Sequence, residues 1–334
     1  MNKKRCQADL NSKTNHDHGF NKKSAGRPDL RVNLAGIDLA NPILAASGPF
    51  GYGHQYRELF DLSLLGGIIV KGISPEPWEG NPPPRLAETT GGMLNAVGLQ
   101  NPGLENFLKE DLPCLRGSGT KIIVNVVGCS VDEYAAVASR LDGVEGIDGL
   151  ELNISCPNVK AGGMAFGTDP ASTSNVVSTV RKQTGLPLLI KLSPNVADIT
   201  SIARAAEEAG ADGLSLINTL SGMLIDIEKR APLLGNTFGG LSGPAIMPVA
   251  LKMVWQVAGA VKIPVLGMGG INSARDALQF IMAGARAVAV GTGLFYNPDL
   301  PAEIKEGLLD YLQQQRLPEL KSIERIAQNP KGEE

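Results

Sequence analysis

The sequence predicts a (β/α)8 barrel, the TIM-barrel fold of the α/β class, with an N-terminal β-hairpin at the bottom of the barrel. Eight short, apolar segments alternate with helical patterns from Asn41 onward. Strands that are apolar throughout are typical of parallel sheets covered on both faces, and eight strand–helix units favour a closed barrel over an open sheet. Gly accounts for 40 of the 334 residues, which indicates many tight turns and close approaches of the backbone to a ligand.

The predicted elements follow one another in the order that a barrel requires. An alternating apolar–polar segment around a turn predicts the hairpin at residues 30–39. The barrel strands are expected at residues 42–46, 67–71, 121–126, 149–153, 186–191, 212–217, 263–267 and 285–290. Helices are expected at residues 131–141, 171–183, 199–209 and 274–283. The segments 72–100 and 218–243 are too long for simple connections in a compact domain, which indicates functional loops.

One barrel accounts for the chain after a polar N-terminal segment. Residues 1–29 are rich in Asn, Lys and His and lack the apolar core of a signal peptide. We therefore expect a disordered tail at residues 1–29 and the barrel domain at residues 30–334. No apolar run reaches ~18 residues, so neither a spanning helix nor association with a membrane is expected.

Composition argues against several kinds of partner and site. A net charge of −3 and an aromatic content of 4% argue against binding of nucleic acid. Four cysteines occur without a Cys-x-x-Cys pair or a metal-binding spacing, so no metal is expected on this chain; they are Cys6, Cys114, Cys129 and Cys156. Free thiols in a chain of this size are typical of the reducing cytosol and predict a cytoplasmic protein.

Polar residues follow the predicted strands at the end where barrel enzymes place their active sites. The strands end at Ser47, Lys71, Asn125, Asn153, Lys191, Asn218-Thr219, Gly269-Gly270 and Gly291-Thr292. Any one of these residues is ordinary, since a lysine there is usually a solvated charge and an asparagine a turn former. Two lysines and three asparagines that converge on one mouth predict a site for a polar, anionic ligand.

The glycine pairs after the last two strands fit a phosphate group. Barrels frequently hold phosphate in these loops on backbone N–H groups, and glycine lets the backbone come close. Flavin enzymes, aldolases and isomerases all fit this pattern, and tight turns alone would also explain the glycines. Lys71 and Lys191 can offset the charge of a reduced flavin or pair with a carboxylate. In a non-redox lyase, Lys191 would instead be the Schiff-base lysine.

Cys156 follows the fourth predicted strand, in the segment Asn153-Ile-Ser-Cys-Pro-Asn158. A thiol at the end of a buried strand is a candidate catalytic base. Taken alone, the thiol is better explained as a small buried apolar group, as most free cysteines are.

Several further motifs carry a resemblance to a known family. They are Ala46-Ser-Gly-Pro49, Val70-Lys-Gly72, Asn95-Ala-Val-Gly-Leu-Gln-Asn-Pro-Gly103, Asn153-Ile-Ser-Cys-Pro-Asn158, Ile190-Lys-Leu-Ser-Pro194, Ile217-Asn-Thr219, Gly267-Met-Gly-Gly-Ile271 and Val290-Gly-Thr292. In these motifs the chain resembles the class 1 flavin-dependent dihydroorotate dehydrogenases, from about residue 30 to residue 326. Segments 218–226 and 239–244 resemble the NAD-linked branch, class 1B. The family oxidises (S)-dihydroorotate to orotate in de novo pyrimidine (UMP) biosynthesis.

The resemblance implies a role for each matching position. One FMN per chain would be held by Ser47, Lys71, Gly72, Asn125, Asn153, Lys191, Ile217, Gly243, Gly269, Gly270, Gly291 and Thr292. The substrate would be held by Lys71, Asn95, Ala96, Val97, Gly98, Leu99, Asn153, Asn218 and Thr219. Cys156 would remove the proton from C5 of the substrate while a hydride passes from C6 to FMN.

The resemblance also implies a partner. In class 1B a separate subunit carrying FAD and a [2Fe-2S] cluster passes electrons to NAD+, in an assembly of two copies of each subunit. Cysteine rather than serine as the base separates the chain from the membrane-associated class 2. The alternatives are a fumarate-linked enzyme of class 1A, the pyrimidine-reducing domain of a dihydropyrimidine dehydrogenase, and a non-redox phosphate-binding barrel lyase or isomerase. The intact set of polar residues argues against a fourth alternative, a non-catalytic partner subunit.

Overall fold

The structure is a computed structural model that describes residues 27–155 and 166–328. In chain order, its strands are β1 (Val32–Leu34), β2 (Ile37–Leu39), β3 (Ile43–Ala45), β4 (Gly67–Ile73), β5 (Leu86–Thr89), β6 (Gly92–Asn95), β7 (Lys121–Val126), β8 (Gly149–Asn153), β9 (Leu188–Lys191), β10 (Gly213–Leu216), β11 (Leu220–Gly222), β12 (Ile225–Asp226), β13 (Ala231–Pro232), β14 (Gly239–Ser242), β15 (Val265–Met268) and β16 (Ala287–Val290). The helices are α1 (Ser47–Phe50), α2 (Leu104–Asn106), α3 (Leu112–Leu115), α4 (Val131–Leu141), α5 (Pro170–Arg181), α6 (Ile199–Glu208), α7 (Met247–Ala260), α8 (Ala274–Met282), α9 (Gly293–Tyr296) and α10 (Leu300–Gln314).

Eight strands close into a parallel barrel, which confirms the predicted (β/α)8 fold. Around the barrel the order is β3, β4, β7, β8, β9, β10, β15 and β16, and β16 pairs with β3 to close it. Each barrel strand therefore lies beside the next one along the chain. Between strands and helices lies one large apolar core. All eight strands overlap their predicted positions.

Three strand boundaries differ from the prediction because of proline. β3 begins at Ile43, directly after Pro42; β9 begins at Leu188, directly after Pro187; and β15 begins at Val265, directly after Pro264. Proline has no N–H to donate to the ladder, so each strand begins one residue later than the proline. β4 is longer than predicted and runs to Ile73, with an irregular register between Val70 and Ile73. Lys71 therefore lies within β4 rather than at its end.

The predicted helices begin at side chains that cap them. Ser130, Asp169, Asp198 and Ser273 accept hydrogen bonds from backbone N–H groups in the first turns of α4, α5, α6 and α8. Such a cap satisfies one of the free N–H groups at a helix start. The four helices consequently begin within one residue of their predicted positions.

The predicted hairpin lies at the bottom of the barrel. β1 and β2 pair antiparallel around a turn at Ala35 and Gly36, both with positive φ. Leu34, Ile37 and Leu39 are buried and pack on the lower interior of the barrel, against a set of barrel residues that includes Leu44, Ile69, Ile123, Leu189 and Leu266. The hairpin thereby closes the end of the barrel opposite the strand carboxyl ends.

The two long loops build a small antiparallel sheet over the other end. Its order is β11, β14, β6 and β5, and it combines strands from segment 72–100 with strands from segment 218–243. A small apolar cluster of Ala87, Leu94, Ala96 and Leu234 supports it. We call these four strands the cap sheet.

The N-terminal segment meets the barrel at Asp29. The Asp29 N–H donates to Pro318 O at 2.9 Å, and the Leu320 N–H donates to Asp29 O at 3.0 Å. Leu30 is buried in the main core. The expected disordered tail lies almost wholly outside the described residues and stays a prediction. In residues 27–155 and 166–328, no helix is both long and apolar enough to cross a membrane.

Candidate active site

A cavity opens at the carboxyl ends of the barrel strands, below the cap sheet, and every barrel strand contributes to it. Ser47, Lys71, Asn125, Asn153, Lys191, Ile217, Gly269 and Gly291 each come from a different strand or the residues directly after it. Carboxyl ends of parallel strands meet at one end of a barrel, so residues far apart in the sequence converge there. The cap sheet adds Met93, Asn95 and Ser242 to the wall.

The structure brings almost the whole predicted set together. The predicted residues that line this cavity are Ser47, Lys71, Gly72, Asn95, Val97, Gly98, Leu99, Asn125, Asn153, Lys191, Ile217, Asn218, Thr219, Gly243, Gly269, Gly270, Gly291 and Thr292. Cys156 lies outside the described residues.

Ala96 is the predicted residue whose side chain lies elsewhere. Its side chain is buried in the apolar cluster of the cap sheet with Ala87 and Leu94. Its backbone is engaged as well, since Ala96 O accepts a hydrogen bond from Asn81 Nδ2 at 3.0 Å. Ala96 thus supports the loop that carries Asn95 and Val97 into the cavity wall.

The two lysines of the cavity lie in different surroundings. Lys191 is almost fully buried, and its Nζ donates to Ser47 Oγ at 3.4 Å and lies 3.7 Å from Glu151 Oε2. Lys71 is half-buried, and its pKa is lowered, first by burial and then by the positive charge of Arg85. An anion beside Lys71 would offset both effects, because an opposite charge favours the protonated lysine.

The side-chain amides of Asn153, at the end of β8, and Asn218, after β10, belong to one hydrogen-bond network. Asn153 Oδ1 accepts from Ser155 Oγ at 2.8 Å and from Asn218 Nδ2 at 3.5 Å. Asn218 Nδ2 also donates to Ser155 Oγ at 2.6 Å, and Asn218 Oδ1 accepts from the Thr219 N–H at 2.9 Å. Because the oxygen of Asn153 accepts these bonds, its NH2 group is the part of the amide that can donate to a ligand.

The glycines after β15 and β16 differ in how closely their neighbours pack against them. Gly270 has a φ of +78°, and a Cβ added there would lie 2.7 Å from Met247 Cβ and 2.8 Å from Gly243 O. Gly291 is open by contrast, since its added Cβ would lie no nearer than 3.7 Å to a neighbour, the Cβ of Ala46. Nearby, Thr292 Oγ1 donates to Ser242 Oγ at 2.8 Å. The loops after β14, β15 and β16 thus place N–H groups and two hydroxyls at one end of the cavity.

One buried acceptor on the cavity wall is unsatisfied by the residues that the structure describes. Asn125 Oδ1 makes no hydrogen bond within the part of the chain that the structure describes, although the residue is only 1% exposed. The other end of the amide is occupied, because Asn125 Nδ2 donates to Glu151 Oε2. An unsatisfied buried acceptor is costly, so this atom fits a ligand that offers an N–H or O–H group.

Sequence reasoning missed Glu151, Ser215 and Ser242. Glu151 carried a usable signal, because a charged residue in an otherwise apolar strand two positions before Asn153 faces the same side of that strand. The roles of Ser215 and Ser242 depend on contacts between strands that are distant in the chain. For metals, residues 27–155 and 166–328 contain no group of three or more His, Cys, Asp or Glu side chains suited to hold an ion.

Comparison with known proteins assigns the family. The family model for dihydroorotate dehydrogenase matches residues 29–312. The chain belongs to the dihydroorotate dehydrogenase family. It is 55% identical over 295 residues to a protein of Alkaliphilus metalliredigens, which covers 88% of this chain and 97% of the relative. It is also 57% identical over 292 residues to a protein of Desulforudis audaxviator. That alignment covers 87% of this chain and 95% of the relative.

A third relative, from Geotalea uraniireducens, is 55% identical over 298 residues, which covers 89% of this chain and 98% of the relative. All three are named dihydroorotate dehydrogenase B (NAD(+)), catalytic subunit. The matched region of this family member includes every barrel strand and the cap sheet.

Proposed function

We propose that this chain is the catalytic subunit of a class 1B dihydroorotate dehydrogenase, which oxidises (S)-dihydroorotate to orotate in de novo pyrimidine (UMP) biosynthesis. The observation that carries the proposal is the cavity in which two lysines and five asparagines meet, in a member of this family that is about 55% identical to NAD-linked catalytic subunits. A fumarate-linked class 1A enzyme would share the cavity, but the relatives favour class 1B.

FMN fits the polar groups of the cavity. Asn125 Oδ1 is a buried acceptor without a partner among residues 27–155 and 166–328, and the N–H of the flavin pyrimidine ring is a donor of the kind it needs. Lys191 would stabilise negative charge on that ring. The backbone at Gly243, Gly269, Gly270, Gly291 and Thr292 would bind the phosphate, with Ser47, Gly72 and Ile217 forming the wall beside the ring. When bound, FMN supplies a hydride acceptor.

The remaining polar groups suit a small planar carboxylate. Lys71 would pair with the carboxylate, and the amides of Asn95, Asn153 and Asn218 would bind the ring, because a side-chain amide both donates and accepts. Segment 95–99 and Thr219 would enclose the substrate from the cap sheet and the loop after β10. These contacts hold the ring in one orientation and exclude water from it.

Cys156 is the proposed base. The C5 proton of dihydroorotate lies α to a carbonyl group, so a thiolate held beside it can remove it. A free thiol with a pKa of about 8.5 is only partly ionised at neutral pH, so the rate of proton removal should rise as the thiol ionises. The role is that of a proton acceptor, and no covalent bond to the substrate is needed.

The partner would be an electron-transfer subunit that carries FAD and a [2Fe-2S] cluster and reduces NAD+, in a cytoplasmic heterotetramer of two plus two. The names of the relatives support a separate partner, since each is called a catalytic subunit. Co-expression of the chain with the partner encoded by its own organism should give NAD+ reduction by dihydroorotate. A chain that is a stable homodimer alone and transfers electrons to fumarate would support class 1A instead.

The proposal is tested on the purified chain. We expect yellow protein whose visible flavin absorbance bleaches when dihydroorotate is added without oxygen. Cys156→Ala should keep its FMN and lose at least ~10²-fold in the rate of bleaching at neutral pH, the usual scale for loss of a general base. Colourless protein that borohydride traps on a carbonyl substrate would establish the lyase alternative.

A further inference from the structure

Glu151 is a fully buried carboxylate under the floor of the cavity. It lies on β8 two residues before Asn153, so both side chains point into the barrel. Its exposed fraction is 0%. A buried carboxylate is costly unless charges and hydrogen-bond donors surround it, so its partners indicate what it does.

Three other barrel strands each supply one partner for Glu151: the two neighbours of β8, and β10 beyond β9. Asn125 Nδ2 on β7 donates to Oε2, and Ser215 Oγ on β10 donates to Oε1 at 2.6 Å. Lys191 Nζ on β9 lies 3.7 Å from Oε2. The strand register explains the set, because Asn125 stands opposite Glu151, and Lys191 stands opposite both Asn153 and Ser215. The amide and the hydroxyl donate hydrogen bonds to the two oxygens and the ammonium lies within ion-pair distance, a set of partners that suits a carboxylate, which accepts and does not donate.

Glu151 determines which atom Asn125 presents to the cavity. A carboxylate accepts and does not donate, so the NH2 group of Asn125 has to face it. The amide oxygen of Asn125 is thereby directed away from Glu151, and this is the buried acceptor that has no protein partner in the described residues. Replacing the carboxylate by an amide would remove this constraint.

Glu151 also changes the charge of the site. It is the buried negative group beside the buried ammonium of Lys191, so it offsets part of the positive charge that Lys191 presents to a ligand. Inside a protein, at an effective dielectric constant of about 20, one unit charge within about 10 Å changes an equilibrium by tenfold or more. Reduction of a bound flavin adds negative charge, which a neighbouring carboxylate opposes.

We propose that Glu151 is a positioning residue that orients Asn125, anchors Lys191 and lowers the reduction potential of the bound flavin. This inference rests on the proposed function, since it takes FMN as the ligand of the cavity. Glu151 does not line the cavity and therefore acts through its two neighbours rather than by contact with flavin or substrate.

The test compares holoenzyme variants at one fixed pH. Glu151→Gln removes the charge and keeps the size, whereas the matched control Ser215→Ala removes one hydrogen bond to the same carboxylate and keeps the charge. The readouts are the flavin midpoint potential and the affinity for sulfite, which adds to the flavin and leaves negative charge on its ring. We expect Glu151→Gln to bind sulfite at least ~10-fold more tightly, with an equivalent rise in potential of about 30 mV for a two-electron couple. Ser215→Ala should stay within about twofold of the wild type.

A Glu151→Gln holoenzyme with wild-type potential and sulfite affinity would overturn the inference. If this variant does not retain FMN, Glu151→Asp distinguishes a role of the charge from a packing role, because aspartate keeps the carboxylate and shortens the side chain. Retention of FMN at the wild-type potential in Glu151→Asp supports the inference, and loss of FMN from both variants overturns it in favour of a packing role. Neither readout uses dihydroorotate, so colourless wild-type protein, or a yellow one that dihydroorotate does not bleach, would instead refute the proposed function.

Discussion

At the scale of the residue, the protonation of Lys71 depends on what occupies the cavity. Burial lowers its pKa from the ordinary value of 10.5, and Arg85 lowers it further. A carboxylate placed beside it stabilises the ammonium and raises the pKa again. Binding of an anionic ligand and binding of a proton by Lys71 are therefore coupled.

The first prediction concerns the pH dependence of orotate binding. The affinity should fall as the pH rises through the Lys71 pKa of the ligand-free protein, because the neutral amine must then take up a proton for the ion pair to form. The fall approaches tenfold per pH unit and ends at the higher pKa of the complex. Titration of orotate from neutral to alkaline pH measures it, and Lys71→Met should bind more weakly and lack this part of the profile. An unchanged profile in Lys71→Met would exclude Lys71 as the carboxylate partner.

Local pattern determines how far single site residues could be predicted. Lys71, Asn125, Asn153 and Lys191 were predictable, because each one ends or nearly ends an apolar strand and the barrel gathers strand ends. Ala96 was predicted to bind the substrate, but it directly follows Asn95, the last residue of β6, and continues the alternation of that strand. Successive side chains of a strand point to opposite faces, so one of two neighbours faces the cavity and the other the apolar cluster.

At the scale of the element, the helices that were predicted have a side-chain cap at their N-terminus, and two long helices that were not predicted lack one. The four predicted helices begin at Ser or Asp side chains that accept a backbone N–H. By contrast, α7 and α10 have no side-chain cap and were not predicted. α7 follows a short 3-10 turn at Pro244–Ile246, and its buried residues Ala250, Val254, Val257 and Ala258 follow helical spacing. Tertiary packing of that apolar face stabilises the helix in place of a cap.

The second prediction concerns Gly270, which lies two residues after the end of β15. Gly270→Ala would place a Cβ 2.7 Å from Met247 Cβ in a backbone of positive φ, so the strain and the crowding add. We expect a loss of about 2–4 kcal/mol in the free energy of unfolding, measured by denaturant unfolding. Gly291→Ala is the control, because its Cβ meets only ordinary contacts. It should unfold like the wild type, so a loss of FMN there would report on ligand binding alone; equal unfolding of both variants would contradict the prediction.

The third prediction concerns the hairpin below the barrel. Leu34 is fully buried against the lower interior of the barrel, so Leu34→Ala removes apolar contacts and leaves a cavity. The cost should be about 2–5 kcal/mol. Asp38→Ala on the exposed face of the same hairpin should cost about 0.5 kcal/mol or less. Similar unfolding midpoints for the two variants would show that the hairpin does not seal the core.

At the scale of the whole molecule, one end of the barrel contributes mainly to stability and the other end carries the proposed binding site. The hairpin and the apolar layer above it stabilise the fold, while the carboxyl ends and the cap sheet hold the polar groups of the proposed site that belong to the described residues. Glu151 lies at the boundary between the two, where Asn125, Lys191 and Ser215 approach it from β7, β9 and β10. Sequence reasoning predicted the strand ends but could not predict this group, because its contacts depend on the register in which these strands pair.

The fourth prediction concerns the chain before the barrel. The segment from Asp29 is tied to the C-terminal region by two backbone hydrogen bonds, with Pro318 and Leu320, and by the buried side chain of Leu30. Arg27 contributes only an exposed ion pair with Glu306, which is worth little. Removal of residues 2–26 should therefore change neither the thermal midpoint nor the FMN content of the protein.

Removal of residues 2–31 is the matched comparison. It deletes both hydrogen bonds and the buried leucine, so the unfolding midpoint should fall, with a cost of about 2–5 kcal/mol for the leucine side chain alone. Differential scanning of the two truncated proteins, each loaded with FMN, measures the difference. If removal of residues 2–26 alone already lowers the thermal midpoint, a stabilising contact lies within those residues. That result would refute the expectation that this segment is a disordered tail.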